Sequence, residues 1–183
     1  MDPDAIMLGE IRDEETAEMA VRAALTGHLL FSTLHTGNAV GAVSRLLEMG
    51  IAPYLFSASV LGIVAQRLVR RLCPHCRELY VPASDSREAA FLGSYYNENL
   101  SLYRSRGCSA CHHSGYMGRV ALQELLVMDE NMRLAILAGS TEAKLQSLAE
   151  AGGMADLRED GIQKALTGIT SLAEVGRALY GEL

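Results

Sequence analysis

Four cysteines form two C-x-x-C pairs, Cys73 with Cys76 and Cys108 with Cys111. Each pair can offer two thiolates at the spacing that one tetrahedral zinc ion needs, and four thiolates close a structural site without an open position for catalysis. The interval between the pairs exceeds that of most zinc ribbons, which fits an inserted segment. The spacing therefore predicts a structural zinc site; a disulfide or a redox C-x-x-C motif is the alternative.

Two other residues with useful chemistry, Glu10 and His35, closely follow apolar runs at residues 5–8 and 28–34. Open α/β sheets bind ligands outside the carboxyl ends of their strands, which is where both residues would lie. An acid there can hold the water shell of magnesium or polarise an attacking water, and a histidine can donate to a phosphate oxygen. The plainer alternatives are a solvated loop acid and a loop histidine hydrogen-bonded to a neighbouring threonine.

The elements that would position these residues alternate between strand and helix. The apolar runs at residues 5–8 and 28–34 predict two fully buried strands. Apolar residues at helical spacing predict a helix after each strand, over residues 13–27 and 40–47. Residues 53–72 predict a further long helix that begins at a proline and carries arginines near its end. This alternation predicts an α/β fold.

Composition and charge exclude several classes of function. The chain has 183 residues, of which 49% are hydrophobic, and these suffice to bury a fair-sized core. The net charge of −6 provides no positive field for a phosphate backbone, so we expect no nucleic-acid partner. No export signal opens the sequence, and the long uncharged stretch of residues 49–66 is interrupted by Pro53. We therefore expect a soluble chain without a transmembrane segment, in a reducing compartment.

Further motifs occur in order along almost the whole chain. They are Ile6-Met-Leu-Gly-Glu-Ile-Arg-Asp13, Leu25-Thr-Gly-His28 with Ser32-Thr-Leu-His35-Thr36, Gln66-Arg-Leu-Val-Arg-Arg-Leu-Cys-Pro-His-Cys76, Gly107-Cys108 with Cys111, Gly115-Tyr116 with Gly118-Arg119, and Arg158-Glu-Asp-Gly161 with Lys164. In this order they resemble the secretion ATPases that power type II secretion and type IV pilus assembly. The first motif resembles that family's Walker B segment, and the second resembles its His box.

The resemblance implies an α/β fold in three parts. Residues 1–72 would form a partial RecA-like P-loop ATPase core with the Walker B and His-box strands. Residues 73–128 would form a tetracysteine zinc subdomain, which is loop-rich and would need its metal as a staple. Residues 129–183 would form a helical carboxy-terminal subdomain, in which a capping box from Ser171 to Glu174 begins the last helix.

The same resemblance implies roles for three residues of the first part. Glu10 would be the catalytic Walker B acid that serves magnesium and the attacking water. His35 would contact the nucleotide as a member of the His box, and His28 would be the second histidine of that box. ATP and magnesium would join zinc as cofactors. The partners would be identical subunits in a hexamer and inner-membrane secretion or pilus platform proteins, which would hold the protein in the cytoplasm beside the inner membrane.

Two motifs of the family do not occur in these 183 residues, the phosphate-binding loop and the acidic box between it and Walker B. Such ATPases cradle phosphates in a G-x-x-x-x-G-K-[ST] loop, and the sequence contains no Gly-Lys-Ser or Gly-Lys-Thr. We therefore expect a carboxy-terminal fragment of a motor ATPase, from Walker B onward, that is inactive alone. A non-catalytic, zinc-containing assembly module that binds a membrane-protein partner is the alternative.

Overall fold

The computed structural model describes residues 3–181 of the chain. In chain order the elements are β1 (Ala5–Met7), α1 (Glu14–Leu25), β2 (Leu29–Phe31), α2 (Ala39–Glu48), α3 (Pro53–Ser59), β3 (Gly62–Leu72), β4 (Glu78–Tyr80), α4 (Arg87–Leu92), β5 (Leu102–Arg104), β6 (Tyr116–Val127), α5 (Glu130–Leu137), α6 (Glu142–Ala151), α7 (Leu157–Leu166) and α8 (Leu172–Tyr180). They form two compact units, each of which is built from two separate stretches of the chain.

The first unit comprises the residues up to Ala65 together with Glu124–Met154. β1 and β2 pair in parallel, with Ile6 directly opposite Leu30. The buried residues of this unit lie mainly on α1, α2, α3, α5 and α6, and Phe56 is among the side chains that are fully buried. The helices therefore supply most of the core, and the small parallel sheet contributes half-buried residues to it.

Local signals set the bounds of the helices on either side of β2. Asp13 accepts a hydrogen bond from the Thr16 N–H (2.8 Å), and Asn38 accepts one from the Gly41 N–H (2.7 Å). These side chains satisfy backbone donors that have no partner within the first turn of a helix. α1 is followed by Gly27, whose φ of +99° suits glycine and ends the helix. The predicted positions of both helices are confirmed.

The prediction that β1 and β2 are fully buried is wrong. Met7, Leu29 and Phe31 expose 68%, 46% and 56% of their surface, whereas Ile6 and Leu30 are half-buried. The physical reason is that, within residues 3–181, the two strands pair with each other alone, and this pairing leaves part of each strand without a covering element. Apolar composition showed that these were strands but not how far they are buried.

The single long helix predicted over residues 53–72 is also wrong. α3 ends at Ser59, and β3 takes up most of the remaining stretch. The residues at the start of β3 alternate in burial, since Ile63 and Ala65 are half-buried and Val64 between them is exposed. Burial with period two is typical of a strand with one covered face, and β-branched residues favour that structure.

β3 and β6 form a long antiparallel ribbon. The Met128 N–H donates to the Leu61 carbonyl (3.1 Å) at one end, and the Cys73 N–H donates to the Gly115 carbonyl (3.0 Å) at the other. The first bond joins the start of β3 to the end of β6, and the second joins the end of β3 to the start of β6, so the two strands run in opposite directions. Each strand contributes residues to both compact units.

The second unit comprises Gln66–Gln123 and the residues from Ala155 onward. β4 and β5 pair in the antiparallel sense, with Leu79 opposite Tyr103. Two hydrophobic clusters fill this unit; their most deeply buried members are Leu92, Leu102, Ile162 and Leu172 in one, and Val69, Leu122 and Val175 in the other. None of the helices among the described residues is long and apolar enough to cross a lipid bilayer.

Glu174 is a buried acid in the second unit, with 2% of its surface exposed. Ser171 accepts a hydrogen bond from the Glu174 N–H, which is one half of the predicted capping box. The Glu174 carboxylate turns instead to the Arg70 guanidinium (2.5 Å) and backbone N–H (3.1 Å), and to the Arg177 guanidinium (2.9 Å). Burial alone would raise the pKa of Glu174, but these donors outweigh it and lower the pKa to about 2.

Candidate functional site

The loops that follow β1 and β2 lie side by side beyond the ends of the strands. The Leu8 N–H donates to the Phe31 carbonyl (2.9 Å), and the Ile11 N–H donates to the Thr33 carbonyl (2.9 Å). The Thr33 hydroxyl also donates to the Gly9 carbonyl (2.7 Å). These three bonds continue the parallel pairing past the sheet, and they hold the segment that carries one candidate residue against the segment that carries the other.

Glu10 and His35 meet at this place. The His35 Nε2 atom lies 3.2 Å from one carboxylate oxygen of Glu10, and an Arg12 nitrogen lies 2.5 Å from the other. Glu10 is 31% exposed, and the His35 side chain is 86% exposed, so solvent and small ligands can reach both groups. The structure thus brings the predicted acid and the predicted histidine together at the carboxyl ends of two parallel strands.

The charge on Glu10 is favoured by its neighbours. A hydrogen bond from the Arg12 guanidinium is the main cause of the lowered pKa of Glu10, and a smaller contribution comes from His35. The carboxylate is therefore ionised at neutral pH and can accept hydrogen bonds from water or from a hydrated cation. The sequence interpretation included Arg12 in the Walker B motif but did not count it among the site residues. Its position two residues after the acid was the available signal.

His28 does not belong to this cluster. It directly precedes β2, at the amino end of the strand, whereas His35 follows the carboxyl end. Its Nδ1 atom lies 3.2 Å from the Ala23 carbonyl and 3.1 Å from the Thr26 hydroxyl at the end of α1. The geometry accounts for His28 by local hydrogen bonds, and its role toward a nucleotide stays a prediction.

The sequence interpretation also missed a buried acid, Glu124 on β6, which is 4% exposed. One of its carboxylate oxygens accepts a hydrogen bond from the Ala39 N–H (2.5 Å), at the start of the helix that follows His35. Leu122 and Leu126, two residues away on either side, are fully buried. This alternation was the available signal, because it places Glu124 on the covered face of the strand.

The four cysteines meet in the second unit. Cys73 follows β3, Cys76 lies in the next turn, and the other pair occupies a short 3-10 turn, Ser109–Cys111, and the residue before it. All four sulfurs lie within 4.8 Å of one another, and the Sγ–Sγ distance is 4.0 Å for Cys73 with Cys108 and 3.8 Å for Cys76 with Cys111. A tetrahedral zinc–thiolate site with zinc–sulfur bonds of about 2.3 Å has sulfurs about 3.8 Å apart. The donor set therefore fits one tetrahedral metal ion.

Backbone groups prepare one of these thiols to bind a cation. Cys111 Sγ accepts hydrogen bonds from the N–H groups of Cys108 (3.2 Å) and Gly115 (3.2 Å). Burial would raise the pKa of Cys111, but these donors outweigh it and lower the pKa to about 6, whereas burial raises the pKa of Cys76 to about 11. None of the four cysteines forms a disulfide. The arrangement fits a metal site, in which a cation would compensate the negative charge of the thiolates.

Comparison with known proteins places this geometry in context. The family described as "Type II/IV secretion system protein" matches residues 1–177. Type II secretion system protein E of Pseudomonas aeruginosa is 51% identical over 181 residues, which are 99% of this chain and 36% of the relative. Type IV pilus assembly ATPase PilB of Thermus thermophilus is 48% identical over 174 residues, which are 95% of this chain and 20% of the relative.

A solved structure shares the fold. The crystal structure of the pilus retraction motor PilT with bound ADP is 26% identical, with a TM-score of 0.63; the match covers 96% of this chain and 39% of that one. The predicted α/β fold of a secretion ATPase is confirmed. The chain spans between 20% and 36% of the length of the two curated relatives. The match to the family over residues 1–177 shows that this chain belongs to the Type II/IV secretion system proteins.

Proposed function

We propose that this chain supplies the Walker B acid and the His-box histidine of the nucleotide site of a secretion or pilus-assembly ATPase. The observation that carries the proposal is the 3.2 Å contact between Glu10 and His35 at the carboxyl ends of two parallel strands. Ligands of open α/β sheets bind at such ends. The names of the relatives, a type II secretion protein and a pilus assembly ATPase, support the same reading.

Each residue of the cluster has a distinct role in this proposal. Glu10 accepts hydrogen bonds from the water that attacks the terminal phosphate and from the hydration shell of the cation. Arg12 keeps that carboxylate ionised and orients it. His35, which is open to solvent, donates to a phosphate oxygen. Glu10 would hold the hydrated magnesium ion that accompanies ATP, and the ion would supply positive charge to neutralise the phosphates.

The four-cysteine cluster is proposed to hold zinc. Its sulfur distances fit a closed tetrahedral site, and four thiolates leave no position for a substrate, so the metal serves structure. The metal would join the two ends of the segment between the pairs through Cys73, Cys76, Cys108 and Cys111. We propose this as the reason why the loops around β4 and β5 keep their positions.

The wider setting follows from the family and is part of the proposal. A motor of this kind would act as a hexamer in the cytoplasm and would pass movement to inner-membrane secretion or pilus platform proteins. The 183 residues contain no Gly-Lys-Ser or Gly-Lys-Thr sequence. Since phosphoryl transfer depends on groups that hold the phosphates, the chain by itself is expected not to turn over ATP.

A chimera tests the proposal. This chain replaces the matched region of the Pseudomonas aeruginosa relative, and magnesium-dependent phosphate release is measured for the chimera and for its Glu10→Gln variant. Turnover should fall about 100-fold or more in Glu10→Gln while nucleotide binding is kept, since general acid–base groups contribute at that level. Glu18→Gln, an exposed acid of α1 that pairs with Arg22, is the matched control and should leave turnover unchanged. Near-normal turnover of Glu10→Gln would remove Glu10 from the mechanism.

A further inference from the structure

The first turn of α2 is buried, and this creates a need for an internal hydrogen-bond acceptor. Ala39 and Val40, the first two residues of the helix, expose none of their surface. The first N–H groups of any helix lack partners within the helix, and here water cannot reach them freely. Asn38 satisfies the Gly41 N–H (2.7 Å), which leaves the Ala39 N–H to a group from elsewhere in the fold.

Glu124 is that group. Its carboxylate oxygen lies 2.5 Å from the Ala39 nitrogen, although the two residues are 85 positions apart in the sequence. A negatively charged acceptor at the start of a helix is favoured both by the hydrogen bond and by the helix dipole. Leu126, next on the same face of β6, belongs to the core of the same unit. The acid is thus held by a packed strand and in turn holds the start of α2.

The start of α2 is also the end of the segment that carries His35. Three residues lie between His35 and Ala39, and among them the Thr36 hydroxyl donates to the Asn38 carbonyl (3.1 Å). On its other side the segment is fixed by the bonds of Thr33 to the loop of Glu10. His35 itself, at 86% exposure, has little packing of its own. Its position therefore depends on the anchors at the two ends of the segment.

We propose that Glu124 is a positioning residue, whose bond to the Ala39 N–H fixes the start of α2 and thereby keeps His35 beside Glu10. The consequence for ATP turnover rests on the proposed function. The consequence for the position of His35 does not rest on the proposed function, because it concerns contacts between residues of the first unit and involves no nucleotide. The two consequences can be measured separately.

The first measurement uses the 183-residue chain and no nucleotide. NMR of the histidine rings records the chemical-shift change that Glu10→Gln causes at His35, with a His35→Asn spectrum to assign the signal. When Glu10→Gln is combined with Glu124→Met, the chemical-shift change at His35 should be less than half of its size in the otherwise unchanged chain. Methionine keeps the side-chain length but removes the acceptor. The chemical-shift change should persist in Glu124→Gln, which retains an acceptor oxygen, and in Leu126→Ala, which removes core packing from the same strand. Hydrogen exchange of the Ala39 amide should become about tenfold or more faster in Glu124→Met, and not in Glu124→Gln or Leu126→Ala.

Two results would overturn the proposal. One is a Glu124→Met chain that keeps both the His35 response and the protection of the Ala39 amide. The other is a Leu126→Ala chain that loses the His35 response as strongly, since general loosening would then explain the effect. Should Glu124→Met fail to fold, Glu124→Asp takes its place, because an acid one methylene shorter falls short of Ala39; a full His35 response in Glu124→Asp would equally refute the proposal.

The second measurement reads the effect on turnover in the chimera. Glu124→Met should lower kcat about tenfold with a smaller change in KM, since misplacing a catalytic group costs rate more than binding. Glu124→Gln should restore most of the loss. A chimera without any turnover would count against the proposed function alone, because the NMR and exchange results decide on Glu124 without nucleotide.

Discussion

Glu174 should make the stability of this chain depend on pH in the acid range. Its pKa is about 2 in the folded chain, against an ordinary value of 4.5, because Arg70 and Arg177 donate to its carboxylate. A difference of that size corresponds to about 3 kcal/mol in favour of the folded state. A lowered folded pKa contributes stability that is fully present above pH 4.5 and is lost as the pH falls toward 2. About half of the contribution should be gone near pH 3.

Urea unfolding at a series of pH values measures this contribution. The free energy of unfolding of Glu174→Gln should lie about 3 kcal/mol below that of the wild-type chain at pH 7, and the gap should narrow steadily between pH 5 and pH 2. Loss of the metal at low pH affects both chains alike, so the difference between them isolates the carboxylate. Glu98→Gln, an exposed acid of the same unit, should show no such gap. A gap that stays constant from pH 7 to pH 3 would refute the reasoning.

Two other changes test the second unit. The purified chain should carry about one zinc ion, which Cys111→Ser should largely remove while His75→Ala, an exposed neighbour of the cluster, should not; metal analysis that finds no zinc in reduced protein would contradict the assignment. Gly161→Ala should destabilise the unit by about 1–3 kcal/mol in urea unfolding, because the added Cβ would lie 2.4 Å from Val175 Cγ1. Val175→Ala added to the same chain should recover part of that loss, and a Gly161→Ala variant as stable as the wild type would show that α7 and α8 can separate.

Short-range patterns predicted the parts of the fold that short-range chemistry decides. Asp13 and Gly27 bound α1 because a cap and a positive φ act within a few residues. The two C-x-x-C pairs predicted that the four cysteines lie together, because each pair offers two thiolates whatever lies between the pairs. The rule that ligands bind at the carboxyl ends of parallel strands placed Glu10 and His35 at one edge of the sheet, and the family resemblance implied their roles. Each of these inferences needed no knowledge of distant partners.

The region of residues 53–72 shows where such patterns fail. Its apolar residues can satisfy a helix or a strand, and what decides is the partner, β6, which lies more than forty residues further along the chain. At the two ends of the ribbon, backbone hydrogen bonds join Leu61 to Met128 and Cys73 to Gly115. Those pairings give the strand its hydrogen bonds, and no pattern within residues 53–72 indicates them. The burial of β1 and β2 failed for the same reason, since burial is a property of neighbours.

The two buried acids suggest how more of the site could have been found. Glu124 and Glu174 each accept a hydrogen bond from the backbone N–H of a distant residue, Ala39 for the first and Arg70 for the second. The partners are 85 and 104 positions away, so neither can be named from the sequence. Yet an acid on the apolar face of a strand or helix is costly unless donors meet it, and so its presence there predicts that donors do. Leu122, Glu124 and Leu126 show that pattern in the sequence. An acid in such a row of apolar residues predicts that it holds a distant backbone N–H group in place. In this chain that group belongs to Ala39, at the end of the segment that carries His35.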